Sequence, residues 1–531
     1  MVGSRRGIAF YVATLPVNPA VGGAWRPKLL MVNGAMATVS RLPLASGTWF
    51  HSTGGTSPTD KNTLVYEGTD LDFGVSTASA YFRVFQAYRA PLRWISSIDT
   101  GSKVVTFTTA LPQSYSSISY SPNAYDYEVL NDPTGCAAAG CWYLDYTANQ
   151  IYYWPRVGEN MATVVIAAPT LPNLIQFTGS STYTNTTISG IDLTMTDAPV
   201  PDDESQTYSA MFVNNTNGVL VSSANMYNLG NIGLSSSSSN NLSISRNLIH
   251  DVGNHGVITG GSTGQQFTDN TIYNFGLINA DGNAIKSAFT NTNSYIAYNT
   301  IHDGPYSGIY TGGTGPVVEY NLAYGLMGGS LTLPANINHM NDGGAIYVGQ
   351  TPSGCNIRNN WAYNIGNGVW NDNPVYYMDV STTNCTATGN IGVASYEPFL
   401  DHQGTTNFWI NNYWYSTNTG KTESYFSAST GGTFQGNVIS APSGTSIDLT
   451  TPLGGITSVS GNVLYSGGNS YTWTQQSSGG TQAMPSGWTA AKADPLFTAP
   501  LSNNFQMLPG SPALAAGIPQ PIVFSHVGPR P

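Results

Sequence analysis

The chain has 531 residues and a formal net charge of −11, and only 8% of its residues are charged. Its length indicates several domains. Abundant Gly, Ser, Thr, Asn and Tyr with few charges favour β structure with many turns over helices or disorder. The acidic balance and the lack of a basic stripe argue against nucleic acid or an anionic membrane as a partner. The sequence contains no apolar run of about 18 residues, so no membrane span is predicted.

The N-terminal part is predicted as a segment, 1–24, followed by a β-rich, sandwich-like accessory domain over 25–165. The start, MVGSRRGIAF, lacks a signal peptide, so either a leader is missing or the protein stays in the cell. Alternating stretches such as KVVTFTTAL and TVVIAA, with turn residues between them, predict the strands of the accessory domain. Its last part, PTGCAAAGCWYLDYTANQIYYWP, predicts a hairpin-like element and carries Cys136 and Cys141 in a loop-like stretch.

From about residue 219 the chain repeats a pattern centred on one asparagine. A coil of about 22 residues with insertions predicts an all-β fold, a right-handed parallel β-helix over 166–507, followed by a Pro-rich tail, 508–531. Asparagine suits a tight corner because it tolerates the left-handed region and can bond its neighbours in a ladder. The repeated residues, with spacings of 23, 29, 22, 39, 30 and 22, are Asn247, Asn270, Asn299, Asn321, Asn360, Asn390 and Asn412.

Two further positions of the coil carry structural predictions. Three positions before each of the first six asparagines lies an apolar or small residue, such as Ile244 or Ile296, and this column is predicted to point inward. Cys355 and Cys385 each lie five positions before their asparagine. Stacked strands are about 4.8 Å apart, so an inter-coil disulfide is predicted, with two free buried thiols as the alternative. Such pairs indicate an oxidising compartment and a secreted or periplasmic protein.

The insertions between coils all follow the asparagine corner and precede the next strand. They cover residues 276–282, 326–343 and 366–373. Insertions on one side of a solenoid usually build its binding face. Asp342 lies at the end of the longest insertion, in the stretch NDGGAIYVG.

Four stretches in order, KLLMVNGAMATVSRLP, CWYLDYTANQIYYWPRVGENM, NDGGAIY and VYYMD, carry a family resemblance. Over about 25–415 the chain resembles the right-handed β-helix glycoside hydrolases of family 141, within the pectate-lyase-like superfamily. The resemblance implies a β-rich domain inserted early in the β-helix and action on a fucoside or on xylan. It also implies a catalytic pair of carboxylates, carried here by Asp342 and Asp379.

Coil alignment gives a separate view of the acids. Counting back from the corners aligns Gly349, Asp379 and Asp401, so Asp379 and Asp401 are predicted about one strand spacing apart. Counting from the strand starts aligns Asp342 with Asp372. Like charges this close raise the pKa of one partner, as an acid catalyst requires; a calcium- or water-bridged turn is the alternative. On a straight strand Asp342 and Asp379 would be about 23 Å apart. They can pair only if the insertion folds Asp342 over the sheet.

Other side chains are predicted on the same outer face of the β-helix. Their rings are interpreted either as a platform for a sugar or as an aromatic ladder that stabilises the strands. Lys286 is expected to hold a sugar hydroxyl or to pair with Asp281. The outward column comprises Lys286, Tyr310, Tyr347 and Tyr377, beside an inward column of Ile285, Ile309, Ile346 and Tyr376.

The histidines fall into two groups. His250 and His302 recur at one coil position, each before an aspartate, which favours a structural role. His402, beside Asp401, is predicted to bind a hydroxyl or tune an acid, and His339 in the long insertion is placed within reach of the site. Neither a metal nor a cofactor is expected, because no ligand spacing is convincing.

The combined prediction is a glycosidase that cleaves plant or microbial polysaccharides or their oligosaccharides with retention. Asp342 and Asp379 are the first pair, Asp401 is the substitute and His402 supports them. Two alternatives stay open: a polysaccharide lyase, disfavoured by only 17 Lys and Arg residues, and a non-catalytic carbohydrate-binding β-helix.

Overall fold

The computed structural model is almost entirely β, with a parallel β-solenoid behind an N-terminal β-rich region, which confirms the predicted fold class. The structure describes residues 2–5, 8–16, 25–119, 125–179, 185–198, 208–330, 332–333, 339–350, 352–366, 373–394, 396–451, 456–475, 480–481 and 490–530.

The N-terminal region forms three small sheets in its described residues. One sheet has the order Val2–Arg5, Ile8–Thr14, Gln150–Tyr153, Cys141–Asp145 and Thr38–Val39. The largest contains Arg41–Leu42, Asp126–Leu130, Tyr81–Val84, Leu92–Asp99, Val104–Phe107 and Thr63–Val65, with Phe50–His51 beside the second. The third contains Ile166–Ala167, Met31–Val32 and Ala35–Met36; short helices lie at Tyr115–Ile118 and Pro133–Gly135.

Three long sheets run along the solenoid, here called sheets I, II and III. The described strands of sheet I are Ile175–Thr178, Ser209–Asn214, Ile232–Ser237, Val257–Gly260, Ile285–Ser287, Ile309–Thr311, Ile346–Val348, Tyr376–Met378, Phe399–His402, Lys421–Ser427, Ser446–Thr451, Ser470–Gln475 and the antiparallel Gly480–Thr481. Those of sheet II are Thr187–Ser189, Leu220–Ser222, Ser243–Ser245, Gln266–Thr268, Tyr295–Ala297, Val317–Glu319, Asn356–Arg358, Thr386–Thr388, Phe408–Ile410, Gly432–Gln435 and Ile456–Ser460. Those of sheet III are Asp192–Thr194, Asn225–Leu229, Leu248–Val252, Thr271–Tyr273, Thr300–Gly304, Leu322–Leu326, Trp361–Ile365, Ile391–Ala394, Tyr413–Ser416, Val438–Ala441, Asn462–Ser466 and Ala490–Lys492.

The C-terminal residues pack against sheet III. They form strands Phe497–Ala499 and Asn504–Met507 and short helices at Pro500–Ser502, Pro512–Ala515 and Phe524–His526. Phe505 and Ile518 are buried in one cluster with Trp361 of sheet III. Arg530 pairs with Asp269 at 2.7 Å, so the tail is fixed almost to its end.

The apolar residues inside the three sheets form one continuous core. Ile244, Phe267, Ile296 and Val318 pair in successive coils of sheet II and are fully buried, which confirms the predicted inward column. A coil cannot bury this face alone, so the core exists only because coils stack.

The predicted asparagine ladder is present. Each amide Nδ2 donates to the Oδ1 of the next asparagine, and the ladder extends beyond Asn412 to Asn437 and Asn462. The left-handed conformation, however, belongs to the residue before the ladder asparagine, such as Tyr298 or Tyr320, and not to the asparagine itself. The asparagine is therefore chosen for its side-chain bonds inside the corner, where an unpaired amide would be costly.

Both cysteine pairs form disulfides. Cys355 and Cys385 join neighbouring coils with their Cα atoms 4.5 Å apart, as predicted. Cys136 and Cys141 close a short loop in the N-terminal region.

The N-terminal region lies against the insertions of the solenoid. The Arg83 guanidinium donates to the carbonyl of Ile278 at 2.7 Å, and the Trp25 indole donates to the carbonyl of Pro169 at 2.9 Å. Within the described ranges, no helix has the length and apolarity that a membrane crossing requires.

Candidate active site

The outer face of sheet I carries the predicted aromatic column. Lys286, Tyr310, Tyr347 and Tyr377 pair in register on consecutive strands. The Tyr347 and Tyr377 rings stack with centroids 4.7 Å apart, whereas Tyr310 stands edge-on to Tyr347. The Lys286 ammonium lies 5.9 Å from the Tyr310 ring centroid.

Asp379 follows Tyr377 by two residues and is aimed out of the same face. Its Oδ2 accepts from the Tyr347 hydroxyl at 2.5 Å and its Oδ1 from the Tyr377 hydroxyl at 3.1 Å. The His402 Nδ1 lies 2.8 Å from the same Oδ1. The carboxylate therefore has three side chains within hydrogen-bond distance, which fix its orientation.

The predicted column of Gly349, Asp379 and Asp401 is wrong by one residue at its last member. Met378 pairs with Asp401, which places His402, not Asp401, beside Asp379. Successive side chains of a strand point to opposite faces, so this shift turns Asp401 inward.

Asp401 is consequently enclosed in the solenoid, with 1% exposure. The Trp409 indole donates to its Oδ2 at 2.9 Å, and the Ser429 hydroxyl donates to its Oδ1 at 2.8 Å. Burial raises the pKa of Asp401, and these hydrogen bonds oppose the rise. The structure does not bring Asp401 into the cleft, because its partners all lie inside the coil.

Asp342 reaches the same point from the long insertion. The Tyr377 hydroxyl lies 3.2 Å from Asp342 Oδ1 and 3.1 Å from Asp379 Oδ1, so these two carboxylate oxygens are at most about 6.3 Å apart. The insertion thus folds Asp342 over the sheet face, as the pairing requires. Asp372, predicted to stack on Asp342, lies outside the described residues.

The residues around Asp342 explain its placement. Its backbone is left-handed, with φ of 59°, and its carbonyl accepts from the Tyr306 hydroxyl at 2.6 Å. A Cβ on Gly343 would lie 2.7 Å from both Ser307 Oγ and the Tyr306 ring. The Gly344 amide donates to Ser307 Oγ at 3.1 Å. The two glycines therefore let the chain pass close to Tyr306 and Ser307, and this contact fixes the aspartate.

The two carboxylates make the site electronegative. Burial raises the pKa of Tyr347 well above its usual value, and the charges of Asp379 and Asp342 raise it further. The same causes, with Asp342 the leading charge, raise the pKa of Tyr306. Both phenols therefore remain protonated hydrogen-bond donors.

Two other predicted residues meet the N-terminal region. Asp281 is buried, with its Oδ2 3.5 Å from Arg89 Nε. The His339 ring stacks on Trp49 with centroids 3.6 Å apart, and its Nε2 lies 2.6 Å from Asp126 Oδ2. These contacts place Asp281 and His339 at the junction between the insertions and the N-terminal region.

Sequence reasoning missed the residues that support the pair from other coils. Tyr306 and Ser307 hold the Asp342 turn, and Tyr88 arrives from the N-terminal region. For Tyr306 and Ser307 the sequence offers one local signal, the pattern YSG at 306–308, which lies one coil before the two glycines. Among the described residues, no group of three or more His, Cys, Asp or Glu side chains is arranged to hold a metal ion.

Comparison with known proteins supports the fold. No family model and no curated protein sequence matches the chain. A solved structure described as a glycoside hydrolase is 18% identical, with a TM-score of 0.62 over 78% of this chain and 81% of that one. A GH136 lacto-N-biosidase from Eubacterium ramulus is 12% identical, with a TM-score of 0.36 over 54% and 51% of the two chains. The catalytic domain of a GH87 α-1,3-glucanase is 10% identical, with a TM-score of 0.37 over 92% and 90%.

Proposed function

We propose that this chain is a glycoside hydrolase whose catalytic pair is Asp342 and Asp379. The observation that carries the proposal is the single Tyr377 hydroxyl, which lies within 3.2 Å of an oxygen of each carboxylate. Two carboxyl groups facing one bond are what glycoside cleavage needs. The two oxygens are at most about 6.3 Å apart, so both carboxyls can reach one glycosidic bond, and we propose that the reaction proceeds with retention through a covalent glycosyl intermediate.

The two carboxyls differ in their surroundings, and this difference supports a division of roles between them. Asp379 has Tyr347, Tyr377 and His402 within hydrogen-bond distance, which orient its carboxylate, so we assign it as the nucleophile that attacks the anomeric carbon. Asp342, on its left-handed turn, gives its proton to the glycosidic oxygen as the bond to the leaving sugar breaks. The ionised Asp342 then takes a proton from water, which attacks the anomeric carbon and releases Asp379.

The substrate of this proposal is a neutral sugar chain. The pair and the net charge of −11 disfavour a polyanion. The resemblance to family 141 favours a fucoside or xylan. Tyr310, Tyr347 and Tyr377 form a buried cluster with Leu400 beside the pair, and the last two tyrosines hold Asp379 in place.

A substrate panel with matched variants tests the assignment. The panel contains nitrophenyl glycosides, among them fucosides and xylosides, and neutral polysaccharides. It is incubated with the wild type, with Asp342→Asn and with Asp379→Asn. We expect hydrolysis by the wild type and a loss of at least about a thousandfold in either variant. Asp251→Asn, which alters an aspartate paired with His250 on sheet III, serves as the control and is expected to retain activity.

A covalent trap separates retention from inversion. A 2-deoxy-2-fluoro glycoside of the best sugar is added, and the peptide that gains its mass is identified. Attachment to Asp379 supports the proposed roles, whereas an inverted product without any attachment contradicts them. Unsaturated products absorbing in the ultraviolet identify a lyase. Polysaccharide binding without release of any sugar identifies a binding module.

The location proposed for the protein is extracellular or periplasmic. Two disulfides, one of them joining neighbouring coils, favour an oxidising compartment. Comparing thiol content after expression in the bacterial cytoplasm and periplasm tests this, with no free thiols expected in the periplasmic product.

A further inference from the structure

The N-terminal region sends one tight turn to the active-site face. Gln86 and Arg89 close it with backbone hydrogen bonds of 2.7 and 3.0 Å, and Ala87 and Tyr88 form its tip. Ala87 is left-handed, with φ of 55°, and has no solvent exposure. This conformation costs a non-glycine residue about 1 kcal/mol or more, so packing must impose it.

The turn is fastened to the solenoid on both sides of its tip. Phe85 and Ala90 are fully buried in one cluster with Tyr306 and Met340. Tyr306 is the residue whose hydroxyl bonds the Asp342 carbonyl.

Polar contacts fix the same turn from two more directions. The Arg89 guanidinium lies 3.5 Å from Asp281 in the first insertion. The Gln86 amide donates to the Gln113 carbonyl at 2.9 Å within the N-terminal region. The position of the tip is therefore set by both parts of the chain.

Tyr88 at this tip packs on the cluster whose Tyr306 holds Asp342. Its ring packs against the cluster that contains Tyr306, and it keeps part of its surface in solvent. Burial raises the pKa of its hydroxyl, and the charges of Asp342 and then Asp379 raise it further.

Resting on the proposed glycosidase function, we propose that Tyr88 is a substrate-binding residue, and that the Gln86–Arg89 turn forms the wall of the sugar subsite opposite Tyr347 and Tyr377. A tyrosine offers an apolar ring for the face of a sugar and a hydroxyl for its polar groups. The bound sugar is thus held between the solenoid and the N-terminal region, and specificity depends on both.

The test compares Tyr88→Ala and Tyr88→Phe with the wild type on its best substrate. We expect Tyr88→Ala to raise KM about tenfold or more while kcat changes less than about threefold, because the ring binds and does no chemistry. Tyr88→Phe keeps most of the binding. Tyr152→Ala is the control, since this tyrosine stacks on Tyr143 in another sheet of the N-terminal region.

Binding without turnover provides the second measurement. Calorimetry measures the affinity of an oligosaccharide for Asp342→Asn and for the double variant Asp342→Asn/Tyr88→Ala. We expect the double variant to bind about tenfold more weakly than the single variant. Unchanged KM and unchanged affinity in the Tyr88→Ala proteins overturn the inference while leaving the glycosidase proposal intact. If the wild type neither cleaves nor binds any sugar of the panel, both proposals fall.

Discussion

The His402 imidazole and the Asp379 carboxylate occupy equivalent positions on successive coils, with Nδ1 2.8 Å from Oδ1. A histidine held this way orients a carboxylate through a hydrogen bond. The side chains are 31% and 14% exposed, so the pair lies at the edge of the cleft and not inside the core.

Replacing His402 is expected to reduce turnover. His402→Phe keeps a ring but removes the nitrogen near Asp379, and we expect kcat to fall about ten- to a hundredfold with a smaller change in KM. His402→Asn, whose amide can donate to Oδ1, is expected to recover part of the loss. His302→Phe breaks a similar contact, to Asp303 at 2.8 Å on sheet III, and is expected to leave steady-state kinetics unchanged. Equal kinetics for both phenylalanine variants would remove His402 from the site.

The Tyr377 hydroxyl is expected to matter for kcat because it lies between the two carboxylates. Tyr377→Phe retains the stack on Tyr347 and loses only the contacts to Asp342 and Asp379. We expect kcat to fall about tenfold or more. The control is Tyr324→Phe, in the aromatic ladder of sheet III, and the thermal unfolding midpoint of Tyr377→Phe is expected to change no more than that of this control. A wild-type kcat in Tyr377→Phe contradicts this bridging role.

The inter-coil disulfide is expected to stabilise the solenoid. It links residues 30 apart, so the chain-entropy model predicts a contribution of about 3.5 kcal/mol. The short bridge, with a separation of 5, is predicted to contribute about 2 kcal/mol. Chemical denaturation of Cys355→Ala/Cys385→Ala and Cys136→Ala/Cys141→Ala measures both. A larger loss from the second double variant contradicts the loop-length argument.

Stability is expected to depend on pH through Lys28. Burial lowers the pKa of this lysine to about 7, although the Asp197 charge opposes the shift. The unfolded chain, with a lysine pKa near 10.4, binds more protons above pH 7. The free energy of unfolding should therefore rise between pH 7 and 10, by on the order of 2–4 kcal/mol.

Variants of two lysines isolate this effect. Lys28→Met is expected to lose the rise, because it removes the group whose pKa differs between the folded and the unfolded chain. Lys61→Met, at an exposed site, is expected to keep it. Urea denaturation at several pH values gives the slopes, and a rise that persists in Lys28→Met contradicts the assignment.

Counting from the asparagine corners was enough to predict the periodic features. The column from Lys286 to Tyr377 and the bridge between Cys355 and Cys385 follow directly, because stacked strands keep their register. The inward or outward direction of each column follows as well, since side chains alternate along a strand. The exposure does not follow, because the outward Tyr310, Tyr347 and Tyr377 are buried together with Leu400.

The same counting failed at Asp401 for a local reason. Met378 pairs with Asp401, and Thr383 pairs with Thr405 in the same two coils. Thr383 follows Met378 by five positions, whereas Thr405 follows Asp401 by four. One turn is thus a residue shorter, and a one-residue slip exchanges the two faces of a strand. The position of Asp342 depends on the Tyr306 hydroxyl, and that of Tyr88 on a contact across about half of the chain, so neither has a periodic signal.

The asparagine ladder continues unbroken across coils whose corner spacings vary from 22 to 39 residues. The stack therefore tolerates changes in loop length without altering the bonds between coils. Evolution, or an engineer, can exchange one insertion for another of different length and chemistry while the scaffold folds as before. New chemistry on the face that carries Asp342 can then arise by grafting loops, independent of the framework that carries them.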